Sequence, residues 1–296
     1  MPVVRAAAGG RRARLPPSER VPALSTAEQP AALDPAEALV LLATGELTIE
    51  GRLVDASNAT LLATVSAGDV SAACVYKPVR GERPLWDFPD GTLAGREVSA
   101  YLVDQALGWD LVPPTLLRDG PFGPGMCQLW IESESVDELV DLLPENTVPK
   151  GWFPVFGGVD GGGRDVVVAH ADDRRLRRLA VLDAVTNNAD RKGGHLLLTA
   201  EGHLYGVDHG LCFHEETKLR TLLWGWGGEP LDDDEVEALT RVRGELGPDG
   251  PLRQALEEHL TVTEVDTTVA RVDRLLRSRR FPRPAGHRHV VPWPPF

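Results

Sequence analysis

The stretch at 187–213, NNADRKGGHLLLTAEGHLYGVDHGLCF, carries two aspartates, Asp190 and Asp208, each in a polar loop beside a short apolar run. Residues 196–198 and 204–207 are strand-like, and residues 199–202 have the polar, glycine-ended composition of a hairpin loop. Folding that hairpin brings both carboxylates to one end. Carboxylates held close together repel unless a cation or a proton lies between them, so the pair points to a metal-assisted site or to a shared proton. The plain alternative is that Asp, Asn and Gly simply populate two turns.

Two charged residues upstream complete the set. Lys77 lies in the apolar run VYKP at 75–78, and a buried ammonium must find a partner. Either it snorkels from an edge, or a partner is available in Glu97, beside the apolar stripe Ala94, Val98 and Leu102 of a helix read at 94–107, the strand-lysine to helix-glutamate pairing that kinases use. A strand lysine, a helix glutamate and two loop aspartates in this order suit phosphoryl transfer, which needs phosphate positioning and charge neutralisation. The order of the four is more specific than any one of them.

The runs VYKP and REVSAYLVD (96–104), NADR at 188–191 and GVDHGLCF at 206–213 resemble the phosphatidylinositol 3-/4-kinase superfamily. The resemblance is nearest to type II phosphatidylinositol 4-kinases and to uncharacterised actinobacterial phosphatidylinositol-kinase-like proteins, over residues 47–223. It implies an α+β, two-lobed protein-kinase-like fold, with an antiparallel-sheet N-lobe and a mainly helical C-lobe. It also implies ATP as phosphoryl donor with Mg2+ or Mn2+, and transfer to a hydroxyl of a lipid headgroup, protein or small molecule. By resemblance Asp190 orients and deprotonates the acceptor, and Arg191 neutralises Asp190 or contacts the transferring group. Asp208 holds metal, Lys77 fixed by Glu97 binds the phosphates, and the turn with Ser57 and Asn58 offers backbone N–H groups to phosphate. That turn lacks the glycines of a protein-kinase phosphate loop, and a plain hairpin fits it equally well. His195 stands where the kinase pattern has a metal-binding Asn. An imidazole suits manganese better than magnesium, so His195 is a manganese ligand, a non-ligand replaced by water, or the mark of a protein that binds nucleotide without turnover.

The elements that must position these residues follow from periodicity and punctuation. Residues 1–33, rich in Ala, Arg, Pro and Gly, read as a disordered arm, and Asp34 with Pro35 starts a helix to residue 44. Strands are expected at 47–54, 60–66, 72–79, 111–118 and 126–131, closing an N-lobe at 34–134 with a hinge at 130–135. The C-lobe, 135–280, opens with a short helix at 136–143 and a long Pro/Gly-rich connection at 144–163, read as surface loop or lid. A helix at 172–186, apolar almost all round in its second half, delivers the loop of Asp190 from a rigid support. Helices at 232–246, 252–260 and 263–277 follow, and Trp224 and Trp226 read as core. The tail, 281–296, reads as loose; His287 and His289 lack accompanying ligands for a metal.

A 296-residue chain that is 42% hydrophobic and 25% charged is an ordinary globule with a substantial core. Its net charge of −13 argues against nucleic acid and against broad attraction to anionic membrane. No run is long and apolar enough for stable membrane insertion, the N-terminus lacks the apolar core of a signal peptide, and Cys74, Cys127 and Cys212 read as reduced thiols, so a cytoplasmic protein is expected. The alternatives to a kinase are a nucleotide-binding pseudokinase serving as an interaction module, and a metal hydrolase using Asp190, His195, Asp208 and His209. In the hydrolase, Lys77 and Glu97 would have no role.

Overall fold

The computed structural model describes residues 33–53, 59–89, 92–284 and 290–296. The expected arm at 1–33 lies outside them except for its last residue, as do Ser57, Asn58, His287 and His289.

Helix α1, Pro35–Thr44, starts where Asp34 accepts from the backbone N–H groups of Ala36 and Glu37 (2.8 and 2.9 Å), with proline at the first helical position. Its Leu41 and Leu42 pack on one face of a sheet built from β1 (Glu46–Arg52), β2 (Leu61–Ala67), β3 (Val70–Pro78), β4 (Thr115–Gly120) and β5 (Gly123–Leu129). All pairs are antiparallel and the order is β1-β2-β3-β5-β4. Alternation along β3 decides what faces where: Cys74 and Tyr76 are buried beneath α1, so Lys77 points to the opposite side.

That opposite side is covered by α2, Leu93–Leu107, inserted between β3 and β4. Thr92 caps it through Gly95 N–H, Glu82 takes the N–H groups of Leu93 and Ala94, and Gly108 ends it in the left-handed conformation. Ala94 and Val98 meet Met126 of the sheet, whereas Tyr101, Val103 and Leu107 join the helical lobe, so the helix is buried almost all round. Arg96 locks the two lobes together, pairing with Glu264 (2.5 Å) and donating to the Cys212 carbonyl (2.7 Å).

Asp104 of α2 is fully buried; one carboxylate oxygen takes the N–H groups of Leu111 and Val112 (2.7 and 2.9 Å) and the other has no partner. Burial pushes its pKa up to about 7, Asp110 adding to the rise and the two N–H groups opposing it. The folded state therefore holds this proton more tightly than the unfolded chain, and stability is lost as pH rises from the ordinary carboxylate range through 7. Asp104→Asn is expected to gain roughly 2–4 kcal/mol on wild type between about pH 4.5 and pH 8 in denaturant unfolding. A pH-independent difference would contradict this.

The helical lobe opens differently from the sequence expectation. Instead of a helix at 136–143 and a bare connection, β6 (Val140–Pro144), β7 (Trp152–Val159) and β8 (Asp165–Ala171) form a second antiparallel sheet in the order β6-β8-β7. Val166 to Ala169 are all buried, so this run is apolar on both faces and lacks the alternation that marks a half-exposed strand. Helix α3, Arg174–Thr186, is capped by Asp173 and ends at Asn187 in the left-handed conformation. The hairpin of β9 (Leu196–Leu198) and β10 (Leu204–Gly206) follows, then α4 (Asp233–Glu245), α5 (Pro251–Glu257) and α6 (Val262–Ser278). Their buried leucines and valines form one core with α3, Trp226 and Phe281.

The sheet order with α2 between its third and fourth strands, set on a mainly helical lobe, is the two-lobed kinase-like architecture. No helix among the described residues is long and apolar enough to cross a membrane.

Candidate nucleotide and phosphoryl-transfer site

The cleft between the lobes is spanned by Lys77. Its ammonium lies 2.5 Å from Glu97 and 2.9 Å from Asp208, so strand β3, helix α2 and the loop after β10 meet at one cation. Glu97 is buried and its second oxygen accepts from His209 N–H (3.1 Å), which fixes α2 to that loop a second time. Burial works against the Lys77 charge, but Asp208 and Glu97 outweigh it and hold the ammonium protonated well above its ordinary range. In return Lys77 chiefly, against burial, holds Asp208 ionised far below the usual carboxylate range.

The hairpin aligns the rest. Leu196 pairs with Gly206, and Val207 N–H continues the ladder to the His195 carbonyl (3.0 Å), so His195 and Asp208 arrive side by side. Asp208 has φ +60°, a left-handed conformation that costs a non-glycine residue roughly 1 kcal/mol. His195 Nε2 lies 3.3 Å from an Asp208 oxygen, and its Nδ1 is buried without a partner. Burial lowers the His195 pKa to about 4, with Asp208 opposing and Arg191, Lys192 and Lys77 adding to the shift, so the imidazole is neutral at physiological pH.

Asp190 stands on the loop after α3, its own N–H held by the Asn188 side chain (2.9 Å) and its carboxylate 3.2 Å from Lys192. Burial raises its pKa to about 6 against the pull of Lys192, Asp208 adding to the rise and Arg220 opposing it. It is ionised at neutral pH and close enough to titrate there.

Arg191 is placed elsewhere than the sequence reading had it. It is fully buried, pairs with Asp183 of α3 (3.0 Å), donates to the Val207 carbonyl (3.0 Å) and bonds His209 Nε2 (2.6 Å). Neither Asp190 nor the cleft is within its reach, because residues i and i+1 of an extended loop project to opposite sides. The cation that meets Asp190 is Lys192, two positions on and hence on the same side. Asp183 also accepts from Asn188 (3.0 Å) and Thr221 (3.1 Å), making it the buried hub of the loop. His209 accepts from Arg191 inside the fold, so the four proposed hydrolase ligands do not converge.

Two further supports escaped the sequence reading. The segment after Phe213 runs beside the Asp190 loop, with Asn187 donating to the carbonyls of His214 and Glu216 and accepting from Lys218 N–H. The tail, expected to be loose, is docked: Pro295 accepts from Gly193 N–H (2.9 Å), and the Phe296 ring lies on Gly193 where a side chain would clash. Val290 accepts from Thr221 N–H and from the Trp224 indole, and is itself buried. The signal was Val290, Val291, Trp293 and Phe296, apolar residues outweighed in the reading by proline and histidine.

No family model matches the sequence. The chain is 53% identical over 265 residues to Protein Rv2133c of Mycobacterium tuberculosis, covering 86% of this chain and 94% of that one. It is 26% identical over 166 residues to phosphatidylinositol 4-kinase gamma 3 of Arabidopsis thaliana, half of this chain and 27% of that relative, so it spans only about a quarter of the plant protein. The solved structure of hydra Fam20 with sugar overlays with a TM-score of 0.49 at 14% identity, over 82% of this chain and 87% of that one. From this shared sequence, the protein belongs to one family with Protein Rv2133c and, by its distant likeness to the plant lipid kinases, to the phosphatidylinositol-kinase-like superfamily.

Proposed function

We propose that the cleft is an ATP-dependent phosphotransferase site that moves the γ-phosphoryl group to a hydroxyl. The observation that carries this is Lys77 held at once by Glu97 and Asp208, a cation fixed across the two lobes with no structural need for so much charge. In this reading the ammonium faces the ATP phosphates. Asp190 orients the acceptor hydroxyl and takes its proton as the new O–P bond forms and the bond from the γ-phosphorus to the ADP oxygen breaks. Its elevated pKa suits a general base working near neutrality. Lys192 steadies that carboxylate and adds positive charge where the phosphoryl oxygens pass.

A divalent cation fits the two donors present, since Asp208 is ionised and the unprotonated His195 turns Nε2 to 3.3 Å from it, with no third His, Cys, Asp or Glu grouped with them among the described residues. When bound, such an ion neutralises charge on the phosphate oxygens, which with water would complete its shell. A carboxylate with an imidazole favours manganese over magnesium. The backbone N–H groups of the turn with Ser57 and Asn58 remain proposed phosphate contacts.

The acceptor is proposed as a hydroxyl of a lipid headgroup, a protein or a small molecule. The plant relatives are named as phosphatidylinositol 4-kinases, yet a chain of net charge −13 offers no broad cationic face to an anionic bilayer. A second reading, a nucleotide-binding pseudokinase acting as an interaction module, is favoured by His195 in the metal-binding position. ADP formation from ATP with magnesium or manganese separates the two. Metal-dependent turnover, at least ~10²-fold lower in Asp208→Ala, is expected for the kinase; turnover equal in that variant would remove Asp208 from the chemistry.

A further inference from the structure

The loop of Asp190 is flanked by a second cation. Arg220 N–H donates to the Asn188 carbonyl (2.9 Å), Arg191 N–H donates to the Arg220 carbonyl (3.0 Å), and Leu222 N–H donates to the Arg191 carbonyl (3.2 Å), so residues 220–222 run alongside 188–191. Side chains alternate along such a segment. Thr221 turns inward, buried, with its hydroxyl on Asp183. Arg220 therefore turns to the other face, the one that carries Asp190, and it is among the groups that hold the Asp190 carboxyl down.

Arg220 is only partly exposed, and among the described residues its guanidinium has no hydrogen bond or ion pair. The other arginine of the loop, Arg191, is saturated by Asp183, His209 and two carbonyls. Asp190 has its own counterion in Lys192. A guanidinium that feels the Asp190 charge without bonding to it keeps its forked donors free, and these match the oxygens of a phosphoryl group. Whatever the acceptor, the anion that each turnover brings against Asp190 is that group.

We infer that Arg220 is a catalytic residue that contacts the phosphoryl group in flight, one of the two roles that the resemblance offered for Arg191. The inference rests on the phosphotransferase reading. As the acceptor oxygen bonds to phosphorus, its proton passes to Asp190 and the ADP oxygen leaves with the electron pair. Arg220 binds the equatorial oxygens only as the group passes from the ADP oxygen to the acceptor, and it is neither protonated nor consumed.

The test is the affinity for ADP with aluminium fluoride and magnesium, a transition-state mimic that needs no acceptor. Arg220→Ala is expected to weaken that complex by ~10²-fold or more while leaving ATP affinity and melting temperature unchanged, with Arg220→Lys recovering part of the loss. The acidic limb of turnover, set by Asp190 with Lys192, Asp208 and Arg220 facing it, should move upward in Arg220→Ala. A purely structural residue would not shift it. Unchanged fluoride-complex affinity in Arg220→Ala, with wild type binding both nucleotides, would overturn the role of Arg220 alone. Wild type binding neither would overturn the phosphotransferase reading with it.

Discussion

Asp190→Asn is expected to lower ATP turnover by roughly 10²–10⁴-fold while ATP affinity stays that of the wild type. The carboxylate pairs with Lys192, not Lys77, and Asn188 holds the residue through its backbone N–H, so its loss should not disturb the contacts proposed for the nucleotide. An amide keeps the shape and can still accept a hydrogen bond from the hydroxyl, but it cannot take the proton. The same assignment fixes the sign of the pH dependence. Asp190 has a folded pKa of about 6, raised by burial, so the base is active when ionised and turnover should fall as pH drops through that value. In the variant that limb should vanish. Turnover retained in Asp190→Asn, with the limb in place, would assign the base elsewhere.

Asp183→Ala is expected to be the most damaging single change to stability, at ~3–5 kcal/mol in denaturant unfolding. Asp183 is fully buried and collects Arg191, Asn188 and Thr221. Removing it leaves a buried guanidinium without its anion, and uncompensated buried charge is what makes broken pairs costly. The double variant Asp183→Ala with Arg191→Met should recover part of the loss, since replacing both partners by apolar groups is far less harmful. A loss below about 1 kcal/mol for Asp183→Ala would show that the loop does not depend on this hub.

These two residues show what the sequence could and could not disclose. Lys77, Glu97, Asp190 and Asp208 were legible because each sits on an element with its own periodicity or turn chemistry, and alternation or hairpin closure then fixes its direction. The five-stranded sheet, α2, α3 and the last three helices were legible for the same reason, with strand ends moving by a few residues. The second sheet was not: its central strand β8 is buried on both faces, and β6 and β7 lie among prolines and glycines that read as loop. Arg191 was misassigned because its partner Asp183 looks, in sequence, like one polar residue in an apolar helix. Lys192 had a usable signal, being two positions from Asp190 in an extended loop. Arg220 had none, because it reaches the loop only through long-range backbone pairing. The docking of the tail onto Gly193 and Trp224 is equally non-local, since only the fold brings residues 290–296 against that loop.

Whether the two lobes form a metal-dependent nucleotide site is read most directly by calorimetric titration of ATP into the purified protein. It would be run with magnesium, with manganese and with chelator, and repeated on Asp208→Ala. Binding should need metal, be tighter with manganese because of His195, and be lost in Asp208→Ala. No heat of binding under any of the three conditions would contradict such a site, leaving a kinase-like fold without the chemistry.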